Sequence, residues 1–167
     1  MKDLRSQRYV VSKRVEKMIK ILVLHGPNLN MLGTREPEIY GKTTLEQIND
    51  NLRDLASNLD SEVEIFQSNS ESELIDTIQK KGVDSDGMIV NLGAYTHYSL
   101  ALRDAISGSA KPTVEVHISN IYAREPFRHV SVTAPVCRGM ITGLGWRGYL
   151  LALEAIVALI REGEEIS

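Results

Sequence analysis

The chain of 167 residues predicts an α/β fold, a flavodoxin-like doubly wound sheet of five parallel strands with helices on both faces. Three observations carry this expectation. Short apolar runs alternate with amphipathic stretches from Ile19 onward, as βα units do. The runs are apolar on both sides, which suits strands buried on both faces. Two long polar stretches, Gly26–Lys42 and Ser119–Val136, follow strand ends, where open α/β sheets bind ligands. Of the two common small doubly wound orders, Rossmann-like and flavodoxin-like, five strands favour the second.

The elements follow in order. Ile19–Leu24 (IKILVL) reads as a buried strand. Thr43 with Glu46 forms a capping box and opens a helix with Leu45, Ile48, Leu52, Leu55 and Leu59 on one face. Val63, Ile65 and Phe66 mark a second strand. Ser70 with Glu73 repeats the box ahead of Leu74, Ile75 and Ile78. Gly87–Leu92 is a third strand, and Thr96 is placed to cap a helix ending near Ile106. Pro112–Ile118 holds a fourth strand and Met140–Thr142 a fifth. A final helix runs from about Trp146 to Arg161.

Composition narrows the function classes. A chain of this length makes one domain and buries roughly 70% of its unfolded surface, so it needs no disulfide or metal to hold a core. Charged residues make up 25% and hydrophobic ones 43%, and the net charge is −3, which gives no case for nucleic acid or a membrane surface. The longest apolar tract, Tyr149–Ile160, is broken by Glu154. Cys137 stands alone, which fits a reducing cytoplasm, and its sequence context supports a structural role rather than a nucleophile. Residues 1–17 carry six basic residues against two acidic ones and read as a basic extension ahead of Met18, with an organelle transit segment as the alternative. The expected organisation is this extension, one α/β domain over 18–162, and an acidic tail over 163–167.

Polar residues cluster where the strands end. His25-Gly26-Pro27-Asn28 follows the first strand and Asn91 closes the third. Glu115 and His117 lie two apart in the fourth, hence on one face, with Ser119 and Asn120 behind them. The long loops add Arg35, Tyr40, Arg124 and Arg128, and the third helix begins near His97. Arginine grips a carboxylate bidentately, while Asn and Ser suit hydroxyls, so the set fits a small polyhydroxylated carboxylate. Gly143-Leu144-Gly145-Trp146-Arg147-Gly148 matches GxGxxG, but a dinucleotide site needs a further strand with an acidic residue about 20 positions on, and the chain stops within that span. These glycines read instead as permitting tight helix–sheet packing. An electron-transfer flavin module lacks its phosphate loop here, and a receiver domain lacks its acidic pair.

The stretches GPNLNMLGTREPEIYG (26–41), NLGAYTHYSLALRDA (91–105), EVHISNIYAREPFR (115–128) and GLGWRGYLLAL (143–153) resemble the type II 3-dehydroquinases. The resemblance implies elimination of water from 3-dehydroquinate through an enolate, giving 3-dehydroshikimate in the shikimate route or in quinate breakdown. It implies no cofactor, no metal, and a dodecamer of four trimers. By position, Tyr40 matches the base, with Arg35 and Arg124 supplying the cation that favours its phenolate. Asn28 matches the residue that holds a water against the enolate oxygen. His117 matches the general acid, and Glu115 its orienting partner. Asn91, His97, Ile118, Ser119 and Arg128 match substrate contacts, and Asp104 matches a residue reaching in from a neighbouring subunit. The loop carrying Arg35 and Tyr40 is expected to act as a lid. Tyr98, Tyr122 and Pro126 depart from the residues common in the family at those positions.

Overall fold

The computed structural model describes residues 17–34 and 36–163. Strands β1 (Ile19–His25), β2 (Ser61–Gln67), β3 (Gly87–Asn91), β4 (Thr113–His117) and β5 (Gly139–Thr142) form one sheet in the order β2-β1-β3-β4-β5. All four pairings are parallel, with His25 opposite Asn91 and His117 opposite Thr142. This is the flavodoxin-like doubly wound order, and it aligns the carboxyl ends of every strand along one edge.

Helices α1 (Pro37–Tyr40), α2 (Leu45–Asn58), α3 (Glu71–Lys81), α4 (Leu100–Ser109) and α5 (Arg147–Glu162) complete the fold. Alternation along the strands divides the core in two. Ile19, Ile21, Val23, Val114 and Val116 pack with α2 and α5 through Ile48, Leu52, Leu153 and Ile156. Leu22, Leu24, Met88 and Val90 pack on the other face with α3 and α4 through Leu74, Ile78, Leu102 and Ile106. β3 and β4 are buried along their whole length, so every polar side chain they carry must find a partner inside the protein.

The helix starts show where local signals were ambiguous. Thr43 and Thr44 each begin a capping box, with Glu46 and Gln47. The fold uses the second: Thr44 Oγ1 accepts from Gln47 N at 3.2 Å, and Gln47 Oε1 accepts from Thr44 N at 3.0 Å. Thr44 also packs on Gly33, where a Cβ would come within 2.9 Å of its methyl group, and this contact fixes which threonine ends the loop. Ser70 caps α3 as expected, but Glu73 turns to the Ser68 hydroxyl instead of back to Ser70. Thr96 does not cap α4. Ser99 does, accepting from Leu102 N at 3.0 Å, and Thr96 turns inward.

The basic extension expected over 1–17 lies outside the described residues except for Lys17, whose ammonium pairs with Asp86 at 2.8 Å. The acidic tail lies outside them too, apart from Gly163, whose left-handed backbone (φ 66°) closes α5.

Candidate active site

A cleft of about 720 Å³, counted to its open mouth, sits beyond the carboxyl ends of β1, β3 and β4. Nine of the residues singled out from the sequence line it: Asn28, Tyr40, Asn91, His97, His117, Ile118, Ser119, Arg124 and Arg128. They come from five separate segments, which only this strand order brings to one edge.

One wall is a histidine–carboxylate pair. β4 places Glu115 and His117 on the same face, and His117 Nε2 lies 2.6 Å from Glu115 Oε1. Glu115 has no solvent exposure. Burial pushes its carboxyl up, but hydrogen bonds from His117, Thr133 and Ser131 outweigh that and hold it below the ordinary carboxylate range. His97 stacks on His117 with ring centres 6.4 Å apart and planes 19° apart. It is fixed by a contact of 2.8 Å between Nδ1 and the Val130 carbonyl. Burial lowers the His97 pKa, which favours its neutral form.

The facing wall carries Tyr40 at the end of α1. Arg124 Nη1 donates to Tyr40 Oη at 3.0 Å and to Ser119 Oγ at 3.3 Å. The Arg124 pKa is raised first by the bond to Tyr40. Glu125 ties this wall together, meeting Arg124 Nε at 3.3 Å and Arg128 Nε at 3.0 Å. α1 is a single turn. Gly33 (φ 88°) precedes it and Gly41 (φ 79°) follows it, in backbone conformations that favour glycine.

The floor is Asn91, whose side chain is fixed from behind. Asn91 Nδ2 donates to the Tyr149 hydroxyl at 2.9 Å, and Asn91 Oδ1 accepts from Gly93 N at 3.2 Å. The Tyr149 hydroxyl lies 2.9 Å from His25 Nδ1, and His25 Nε2 lies 2.9 Å from Asn49 Oδ1. An amide oxygen only accepts, so Nε2 carries the proton and Nδ1 accepts from Tyr149. Burial lowers the His25 pKa to about 4, so the ring is neutral, and burial pushes the Tyr149 phenol up. Asn28, in a left-handed conformation (φ 66°), is held by its N–H donating to Asn69 Oδ1 at 2.9 Å. Gly26 lets β1 leave the sheet here: a Cβ would lie 2.5 Å from the Leu92 backbone.

Three further residues singled out from the sequence remain. Glu115 stands behind His117 and does not line the cleft. Asp104 is exposed on α4 and does not reach the cleft of its own chain. Arg35 lies outside the described residues. Thr96, Ser131 and Thr133 around Glu115, and Asn49, Asn69, Glu125 and Tyr149 in the supporting bonds, were not anticipated as site residues. A distinct signal existed only for Thr96, a hydroxyl in the segment joining β3 to α4. The GxGxxG match is a packing and turn feature in part. A Cβ on Gly148 would meet Ile141 and Val116 at 3.3 and 3.4 Å, while Gly143 and Gly145 supply positive φ. The Cys137 thiol is pushed up to about 12 by burial and by the charge of Glu115, which leaves it a thiol. Tyr122 and Tyr98 are exposed, and Pro126 starts a 3₁₀ turn.

Fold and site together define a small doubly wound α/β enzyme, with a histidine–carboxylate pair and a phenol–guanidinium pair at one cleft. The family model described as dehydroquinase class II matches residues 19–157, and the chain belongs to that family. It is 57% identical over 145 residues to a 3-dehydroquinate dehydratase of Roseiflexus castenholzii, covering 87% of this chain and 92% of that protein. The 3-dehydroquinate dehydratase of Halothermothrix orenii is also 57% identical, over 146 residues, 87% of this chain and 99% of that one. The crystal structure of a type II dehydroquinase from Butyrivibrio crossotus superposes with a TM-score of 0.82 at 47% identity, covering 83% of this chain and 97% of that one.

Proposed function

We propose that this protein eliminates water from 3-dehydroquinate to give 3-dehydroshikimate, by general base and general acid catalysis through an enolate. The observation that carries the reading is the placement of Tyr40 with Arg124 and of His117 with Glu115 on the walls of one cleft. The Tyr40 oxygen, to which the Arg124 guanidinium donates, is the base that takes the proton alpha to the ketone. The electron pair moves onto the ketone oxygen, where a water held by Asn28 stabilises the developing charge. Collapse of the enolate expels the hydroxyl, which takes a proton from His117 and leaves as water. Since Nε2 of His117 is committed to Glu115, Nδ1 is the nitrogen that faces the leaving group. Asn91, His97, Ile118, Ser119 and Arg128 bind the substrate, and Arg35, outside the described residues, is the second cation this reading assigns to the base. The loop that carries Arg35 and Tyr40 serves as a lid.

Asp104 is the residue this reading assigns to a neighbouring subunit's site, within a dodecamer of four trimers. The reaction needs no electron transfer and is placed in the cytoplasm. Among the described residues, no helix is long and apolar enough to cross a membrane.

The test is turnover of 3-dehydroquinate by purified protein, followed by the ultraviolet absorbance of the conjugated enone. Wild type turns over with or without EDTA, while Tyr40→Phe and His117→Ala each lose about 10²–10⁴-fold in kcat. A folded wild-type protein with no turnover overturns the reading.

A further inference from the structure

The Glu115 carboxylate is surrounded by polar groups drawn from three places in the chain. Oε1 accepts from Ser131 Oγ at 2.8 Å and from His117 Nε2 at 2.6 Å, with Thr96 Oγ1 3.0 Å away. Oε2 accepts from Thr133 Oγ1 at 2.5 Å. Each carboxylate oxygen offers about two acceptor sites, so Ser131 and His117 fill Oε1, and Thr133 takes one site of Oε2. The hydroxyls are themselves fixed. Thr96 and Thr133 stand 2.7 Å apart, and since Thr133 donates to Glu115, the single hydroxyl proton of Thr96 goes to Thr133 and holds it in place. Ser131 accepts from Ala134 N at 2.9 Å, and Val132 N donates to the Thr96 carbonyl at 2.9 Å, clamping the two segments together.

We propose that Thr96, Ser131 and Thr133 are positioning residues for the acid. Ser131 and Thr133 directly, and Thr96 through Thr133, hold Glu115 as an ionised acceptor, so that Nε2–H stays on the imidazole against Glu115 and the proton on Nδ1 is free to pass to a leaving group. The proposal rests on the reading of His117 as the acid. Each hydroxyl donor favours the charged carboxylate over the neutral acid, which opposes transfer of the Nε2 proton along its 2.6 Å bond to Oε1. Once His117 has given up its proton, the carboxylate is left fully buried, a state that is costly for an unpaired charge. Ser131 and Thr133, with Thr96 behind Thr133, then carry the stabilisation that the imidazolium supplied. The cage thus acts before and after the step: it keeps Nε2 protonated beside Glu115, and it relieves the buried charge once the Nδ1 proton has left.

The other ionisable groups facing the pair are few in kind. His97 stacks on His117 from the segment before α4, and its pKa is lowered mainly by burial. Arg124, Arg128 and Tyr40 share the cleft with His117. The Cys137 thiol, which contacts the Thr133 carbonyl at 3.4 Å, remains protonated. The variants below leave all of these in place.

Removing one hydroxyl makes the remaining carboxylate depend more on His117⁺ and raises the pH at which the imidazole loses its proton. The shift expected is about one pH unit, the scale of one charge-assisted hydrogen bond. The test uses the full chain with ¹³C-labelled histidine, whose four ring signals are titrated by NMR, beside the pH profile of kcat. In Thr133→Val the His117 inflection and the alkaline limb of kcat both move up, and Thr133→Ser restores them. Ser131→Ala, at a half-buried position, moves them in the same direction and stands in should Thr133→Val not fold. A His117 inflection at its wild-type pH in folded Thr133→Val or Ser131→Ala overturns the proposal, as does an identical shift in Thr133→Ser. The NMR arm needs no turnover, so an inactive wild type would sink the enzyme reading while the titration still decides the cage.

Discussion

Arg124 Nη1 lies 3.0 Å from Tyr40 Oη, and its guanidinium carbon sits 5.5 Å from the centre of the same ring. The cation therefore touches the phenol at the oxygen and also lies over its π-face. Arg124→Gln keeps hydrogen-bonding capacity but removes the charge, and kcat is expected to fall about 10²–10³-fold. Arg124→Lys recovers little, because an ammonium has no planar fork to reach Tyr40 and Ser119 together. Steady-state kinetics on both variants checks this, and a lysine variant with full activity would contradict it.

Tyr149 touches no substrate position but holds the floor of the cleft. Tyr149→Phe deprives Asn91 Nδ2 of its acceptor and His25 Nδ1 of its donor, both buried. The expected loss of stability is about 3 kcal/mol, from two orphaned polar groups. Asn91 is then free to reorient, so KM rises several-fold while kcat changes less. Urea unfolding and kinetics on the same preparation measure the two effects.

Stability should fall on the acid side well before carboxylates titrate. His25 is neutral in the fold with a pKa of about 4 against an ordinary value of 6.5. Between those values the unfolded chain binds more protons than the folded one, so stability present above pH 6.5 is lost as the pH falls toward 4. From pH 7 to pH 5 the loss is about 2 kcal/mol per chain. His97, also pushed down by burial, acts in the same direction. Urea midpoints at the two pH values report this, and a flat or rising stability would refute it.

Gly26→Ala tests the tightness of the exit from β1. The added methyl would lie 2.5 Å from backbone atoms of Leu92, which no side-chain rotation relieves. A loss of about 3 kcal/mol is expected, at the upper end of overpacking costs. A melting temperature equal to wild type would show that the two segments part more easily than this geometry allows.

The sheet was legible because its signals are local. Each strand is a short apolar run, and Glu115 and His117 share a face simply because strands repeat every two residues. The family motifs carried nine of the cleft-lining residues directly. What escaped was tertiary. Ser131 and Thr133 lie 16 and 18 positions from Glu115, and Tyr149 lies 124 from His25, so no periodicity links them. Thr96 looked like a helix cap because Thr before an apolar repeat usually is one. Ser99, closer to Leu102 and Ile106, took that role and freed Thr96 for Glu115. The double threonine at 43–44 offered two equivalent caps, and only the packing of Thr44 on Gly33 distinguishes them.

All five strands run the same way, so the start of β1 and the cleft occupy opposite rims of the molecule. A strand of seven residues spans roughly 23 Å. A support coupled at Met18, just ahead of β1, therefore meets the protein at the rim remote from the cleft. Immobilisation through that end should leave turnover untouched, whereas coupling through the Gly41–Thr43 stretch beside Tyr40 should abolish it.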